Sequence, residues 1–268
     1  VLPSDSGNQV TMIQLRPITM RGLLPSGDVD FGKLVEDLLR SPPGTRRPYV
    51  SCAFISTLDG RATIAGRTED LGFQMDARVL MRLRTFADAV MIGANTMRVE
   101  RYDRMLPVQR LREYREQIGL AADPLTVIVS RSLDLPWDAG LFTDGHGEVV
   151  IATASTLSPP PTATNVELIR HSGEVDLPAL LQHLNRERGV ESVSCEGGPT
   201  ILHNLLAAGL VDDLFLTHNP VLTGDGERSL LHGALPSPMP AELVWVLEGE
   251  GELFSRWRIG GLAAGGGS

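Results

Sequence analysis

The hydrophobic pattern of this chain changes period several times, and each change marks an element. "YVSCAFIST" (49–57) is a near-continuous apolar run closed by the turn signal "LDG", so it predicts a strand. In "DARVLMRLRTFA" the apolar residues Val79, Leu80, Leu83, Phe86 and Ala87 recur at helical spacing, with Asp76 as the expected N-cap. Short strands are expected in "DAVMIG", "LTVIVS" (125–130), "EVVIAT" (148–153) and "VELIR" (166–170). "DLPALLQHLNRERG" opens on Asp176 as N-cap and puts Leu177, Leu180, Leu181 and Leu184 on one face. "VESVSC", "PTILHNLLAAG" and "VDDLFLTHNP" then read as strand, helix and strand, with Gly209 as the helix stop. Helices of this length between apolar strands imply crossovers and a mostly parallel central sheet, hence an α/β fold. "ELVWVLEGEGELFSRWRIG" instead predicts an antiparallel hairpin turning at "EGEG" and closing the sheet.

The first 48 residues are less regular. "TMIQLRPI" reads as a possible strand and "DFGKLVEDLLR" as a helix, before "SPPGTRRP" interrupts the pattern. The expected organisation is an N-terminal extension (1–48) packed on a main domain (49–258), with a flexible tail (259–268).

Composition narrows the function. The chain has 268 residues, 42% hydrophobic and 21% charged, enough for a sizeable core. A net charge of -9 disfavours nucleic acid or an anionic membrane as the main partner. No apolar run reaches about 18 residues, and no secretory signal is recognisable at the start. Cys52 and Cys195 lie in strand-like runs and read as buried free thiols of a reduced, cytoplasmic compartment. No Cys-x-x-Cys pair exists and the six histidines are scattered, so no metal site is expected.

Four stretches carry candidate chemistry. "CEGGPT" stands where a strand hands over to a helix, the place where open α/β sheets bind ligands. Gly197, Gly198, Pro199 and Thr200 fit a pyrophosphate cradle at a helix N-terminus, and equally fit a tight turn with no ligand. "MIGANTM" places Gly93 and Thr96 after a buried strand, as the other side of a dinucleotide site or an ordinary turn. "VSRS" offers Ser130, Arg131 and Ser132 for a ribose phosphate; alone, a solvated loop arginine is the better reading. "STLDG" places Asp59 at a strand end, to orient or protonate a substrate or simply to hold a turn. Arg84, in the following helix, suits an anionic substrate group or solvent. The chain lacks G-x-G-x-x-G, the P-loop, G-x-S-x-G, H-E-x-x-H and the zinc deaminase signature.

In order, "STLDGR", "RLRTFADAVMIGANTMR", "VIVSRSLDLP" and "EGGPTILHNLLAAGLVDDLFLTHNPVLTGDG" resemble the reductase half of the bifunctional riboflavin-biosynthesis enzymes, the RibD C-terminal domain family. The resemblance spans roughly residues 49–258. It implies a three-layer α-β-α fold like that of dihydrofolate reductase. It also implies hydride transfer from NADPH to a ribosylaminopyrimidinedione 5′-phosphate, giving the ribityl product in riboflavin biosynthesis. By the same analogy Thr96 contacts NADPH, Ser130 and Arg131 lie near the adenosine ribose phosphate, and Gly198 to Thr200 hold the pyrophosphate. Gly93, Glu100, Gly197 and Ile201 complete the cofactor set. Arg84 and Glu196 match substrate positions, and a homodimer is implied. The segment "ERYDRMLP" departs from the family's D-D-P run: Glu100 replaces the first aspartate, and Arg104 or Arg110 must stand in for a phosphate-binding arginine. "TEDLGF" also departs from the usual segment after the "LDG" turn. Reduction needs a proton, from Asp59, Glu196 or a held water. The alternatives are a dihydrofolate or other pterin reductase of the same fold, and a non-catalytic NADPH-binding module.

Overall fold

The computed structural model of the protein describes residues 13–24, 26–36, 45–64 and 71–260. Its strands are β1 (Thr19–Leu24), β2 (Ser26–Asp30), β3 (Tyr49–Thr57), β4 (Ala89–Gly93), β5 (Leu125–Val129), β6 (Glu148–Thr153), β7 (Asn165–Arg170), β8 (Ser192–Cys195), β9 (Asp213–Asn219), β10 (Ala241–Gly249) and β11 (Glu252–Ile259). Its helices are α1 (Phe31–Glu36), α2 (Gln74–Phe86), α3 (Ala94–Glu100), α4 (Gln109–Gln117), α5 (Gly140–Thr143), α6 (Leu177–Arg188) and α7 (Pro199–Ala207).

The strands form one eleven-stranded sheet in the order β2-β1-β10-β11-β9-β3-β8-β4-β5-β6-β7. From β9 to β7 every pairing is parallel; from β2 to β9 every pairing is antiparallel. Both faces are covered, because side chains alternate across the pleat. Ala89 and Met91 pack with Leu180 and Leu181 of α6 and Leu202 and Leu205 of α7. Their neighbours Val90 and Ile92 face Met97 of α3 and Phe142 of α5 on the other side. Further along, α2 lays Val79, Leu83 and Phe86 against Phe215, Trp245 and Phe254. This is the expected α-β-α layering.

Several local expectations hold. Asp176 caps α6 by accepting the Ala179 N–H at 2.9 Å, and Gly189 ends the helix at φ 64°. The β10–β11 hairpin turns on Glu250 and Gly251, both at positive φ (54° and 87°), the twist that a two-residue hairpin loop requires. Cys52 and Cys195 are free, buried and opposite each other in the β3–β8 register.

Others are corrected. The hairpin does not close the sheet, because β1 and β2 lie outside it. Of "TMIQLRPI", the described residues 13–18 form no strand; β1 begins at Thr19. The helix expected from "DFGKLVEDLLR" runs over α1, and its last four residues lie outside the described residues, as do residues 261–268 of the tail.

Asp76 does not cap α2. It sits inside the first turn, and the helix has no side-chain cap of its own. Instead Glu252, fully buried at the start of β11, accepts the Phe73 N–H at 3.2 Å and also the Asp76 N–H. The other end is held by Arg115 of α4. That guanidinium donates to the carbonyls of Arg84 (3.0 Å), Thr85 (2.9 Å) and Ala87 (2.6 Å). An acid at the N-terminus and a cation at the C-terminus both suit the helix dipole.

Burial pushes the Glu252 carboxyl up to about 7, with the nearby Asp76 charge adding to it. The folded chain therefore holds this proton more tightly than the unfolded chain, whose carboxyl titrates near 4.5. That contribution to stability is full at low pH and is lost as pH rises from about 4.5 through about 7. Glu252→Gln is expected to flatten this part of the stability–pH curve, read from urea midpoints. Parallel curves for variant and wild type would show that the carboxyl is ionised throughout.

Candidate active site

Four parallel strands, β3, β8, β4 and β5, end on the same side of the sheet, and two cavities open beyond them. The first, of about 390 Å³, is floored by Ile55, Val79, Leu83 and Phe215 and carries Asp76, Arg84, Glu100, Tyr102, Glu196 and Thr217. The second, of about 470 Å³, lies against Gly93, Val129, Arg131, Thr200, Ile201 and Asn204. They share Asn95, Thr96, Gly198, Pro199 and Arg228. Both volumes are in the usual range for small-molecule and cofactor sites.

The junction is built from two strand–helix turns pressed together. An added Cβ on Gly197 would lie 2.3 Å from the Gly93 nitrogen and 2.9 Å from two Ile92 backbone atoms. Gly197 is therefore fixed by backbone approach between the β8–α7 and β4–α3 turns, and unlike Gly198 it lines neither cavity. The Gly198 N–H donates to the Thr96 hydroxyl at 3.1 Å and locks the two turns. Pro199 brings no N–H, and the Thr200 N–H has no backbone acceptor among the described residues. That free amide at the helix start faces the second cavity, where an anion fits. Ser130 follows β5 with a buried hydroxyl that has no partner among the described residues, and Arg131 beside it is exposed, 3.4 Å from Glu174. The free amide and the exposed cation together fit a phosphorylated nucleotide, whereas Ser130 lines neither cavity.

On the other side, Arg84 and Glu196 form a sealed ion pair. Arg84 Nη2 lies 2.6 Å and Nε 2.8 Å from Glu196 Oε2, each side chain only 3% exposed. Arg84 Nη1 also donates to the Met105 carbonyl at 2.7 Å, and its guanidinium stacks over the Tyr102 ring at 5.2 Å. Burial opposes the guanidinium charge, but Glu196 outweighs it and holds the Arg84 pKa above its ordinary value. The same burial pushes the Tyr102 hydroxyl up to about 12. The Ser194 hydroxyl donates to Glu196 Oε1 at 3.3 Å.

Asp59 lies outside both cavities. It accepts the Thr57 hydroxyl at 2.5 Å and the N–H groups of Gly224 (2.7 Å) and Thr223 (3.3 Å). The Thr57 hydroxyl and those amides lower its pKa to about 2. An acid held ionised in this way is a poor proton donor, so Asp59 is a clip between the "LDG" turn and the 223–230 loop. Arg104 is corrected too: it makes a two-pronged pair with Asp123 (2.7 and 2.5 Å) and lines neither cavity. Arg110 donates to the Gln14 carbonyl at 2.8 Å and is equally absent from the cavities.

Sequence reasoning missed Arg228. It stands on the loop that Asp59 clips, and its backbone N–H is anchored on the Thr63 hydroxyl at 3.2 Å. Its guanidinium has no ion-pair partner among the described residues, and it borders both cavities. The available signal was a cation among loop glycines, just past a strand end, in "TGDGERS".

Among the described residues no His, Cys, Asp and Glu cluster could hold a metal, and no helix is long and apolar enough to cross a membrane.

Gly197→Ala is expected to cost about 3 kcal/mol of stability, because backbone must move to admit the methyl. Thermal unfolding checks this; an unchanged midpoint would mean that the two turns separate freely.

Comparison with known proteins agrees with this architecture. Residues 48–245 match the family model described as RibD C-terminal domain. The chain is similar to the 2,5-diamino-6-ribosylamino-4(3H)-pyrimidinone 5′-phosphate reductase of Archaeoglobus fulgidus, at 30% identity over 184 residues (66% of this chain, 83% of that protein). The protein of the same name from Methanothermobacter thermautotrophicus is 28% identical over 193 residues (70% and 85%). In structure, a pyrimidine reductase-like protein from Corynebacterium diphtheriae superposes with a TM-score of 0.72 at 24% identity, covering 86% of this chain and 99% of that one.

Proposed function

The chain belongs to the RibD C-terminal domain family, and on that premise we propose that it is an NADPH-dependent reductase of riboflavin biosynthesis. It reduces the ribosyl group of a ribosylaminopyrimidine 5′-phosphate to a ribityl chain. The observation that carries this reading is the pair of cavities meeting at Thr96, Gly198 and Pro199. One cavity has the polar features of a nucleotide site; the other is an apolar slot with a few buried polar groups.

In this reading the second cavity takes the dinucleotide. The Thr200 N–H and the start of α7 face its pyrophosphate, and Arg131 takes the adenosine ribose phosphate. NADPH supplies the hydride when bound. The chain's own residues do the rest. The apolar walls of the first cavity exclude water from the pyrimidine. The Arg84–Glu196 pair fixes a charged surface beside the junction at no reorganisation cost. With Arg104 and Arg110 engaged elsewhere, Arg228 is the cation available for the substrate's 5′-phosphate. The chemistry balances as follows: opening the ribosylamine ring moves the nitrogen's proton to the ring oxygen and leaves a C=N bond. Hydride then adds to the carbon and one solvent-derived proton to the nitrogen. Residues 49–258 acting as the reductase unit, with 1–48 as an extension, a homodimer and a cytoplasmic location belong to the same proposal.

The direct test is NADPH oxidation by the purified protein with ribosylaminopyrimidine 5′-phosphates, followed by absorbance and by identifying the ribityl product. NADPH binding without oxidation would overturn the reading in favour of a binding module. Arg228→Ala is expected to raise KM for the phosphorylated substrate roughly 10- to 100-fold, the loss of a charge-assisted contact, with NADPH affinity unchanged. A fall in NADPH affinity instead would move Arg228 to the cofactor.

A further inference from the structure

Glu174 is the one acid among the described residues that line the second cavity. It stands on the loop between β7 and α6, beside Val175 and Leu177, and faces Arg131 across 3.4 Å. Among the described residues neither side chain makes another ion pair. Both heads are exposed, so a ligand entering the cavity reaches them. Their backbones, by contrast, are tied to one buried residue at the end of β6. The Thr153 hydroxyl donates to the Arg131 carbonyl at 3.2 Å, and the Thr153 carbonyl accepts the His171 N–H at 2.8 Å, just before Glu174. Asp176 secures the other side of the loop. Its N–H donates to His171 Nδ1 at 3.3 Å, and its carboxylate caps α6. The fold therefore presents an acid and a cation together to one ligand, with both heads free to change partners.

In dinucleotide sites an acid accepts the ribose 2′-hydroxyl of NADH, whereas an arginine receives the 2′-phosphate of NADPH. This cavity carries one of each, and they hold each other. A 2′-phosphate has to take Arg131 from Glu174 and then lies beside a like charge. A 2′-hydroxyl leaves the pair intact and donates to the carboxylate. We propose that Glu174 is a specificity-determining residue for the dinucleotide: it weakens the preference for a 2′-phosphate, so that the second cavity takes NADH as well as NADPH. This rests on the reductase reading for the identity of the ligand.

The test is binding of NADPH and of NADH to the full chain without substrate, followed by nucleotide fluorescence at fixed ionic strength. Wild type is expected to bind the two within about 10-fold of each other, because an exposed pair shifts affinity little in either direction. Glu174→Gln keeps the size and removes the charge. It is expected to move the ratio of dissociation constants toward NADPH by roughly 10-fold, the scale of one charge-assisted hydrogen bond. Arg131→Ala is expected to move the ratio toward NADH. Thermal midpoints measured in parallel report that each variant is folded. Tight NADPH binding by wild type with no detectable NADH binding, or a ratio unmoved by Glu174→Gln, would overturn the proposal. A ratio that follows Glu174, with neither nucleotide oxidised in the presence of ribosylaminopyrimidine 5′-phosphates, would support Glu174 and overturn the reductase reading. Binding of neither nucleotide would overturn both.

Discussion

The Arg84–Glu196 pair is the interaction on which the rest of this site depends. Two opposite charges are held almost without exposure where α2 meets the end of β8. Such a pair is tolerated only when its geometry is good and its remaining hydrogen-bonding capacity is spent. Here the Met105 carbonyl, the Ser194 hydroxyl and the Tyr102 ring do that spending. The pair then fixes the rotation of α2, and with it the side of the helix that carries Asp76. The clamps at the two helix ends, Glu252 and Arg115, serve the same placement from outside the cavity.

A second constraint is the close approach of two backbones. Gly197 leaves no space between the β8–α7 turn and the β4–α3 turn, and the Gly198–Thr96 bond holds them there. The two cavities share a wall for that reason. Asp59 acts at a distance from the chemistry: by tying Gly224 and Thr223 to the "LDG" turn it sets the loop on which Arg228 rides.

What was legible in the sequence was what is decided locally. The apolar runs of β3, β6 and β9, the Asp176 cap and the Glu250–Gly251 hairpin turn depend on near neighbours, and the periodicity carried them. The resemblance carried the positions of Thr96, Gly198 and Glu196 to one junction. What was illegible came from distant parts of the chain. Glu252 caps a helix about 180 residues away in sequence, so local pattern assigned the cap to Asp76. Arg104 is claimed by Asp123, and nothing in "ERYDRMLP" foretells that pairing. The β1–β2 hairpin is mostly polar and exposed, stabilised by adding to the β10 edge, so its own pattern is weak.

The central claim is that the Arg84–Glu196 pair serves the substrate half of the site and leaves the cofactor half alone. The most direct measurement is to compare Glu196→Gln with wild type for NADPH affinity and for single-turnover NADPH oxidation. The account predicts unchanged affinity and a rate lower by about 100-fold, the scale of losing a positioned charged group. Weakened NADPH binding with an undiminished rate at saturation would contradict it.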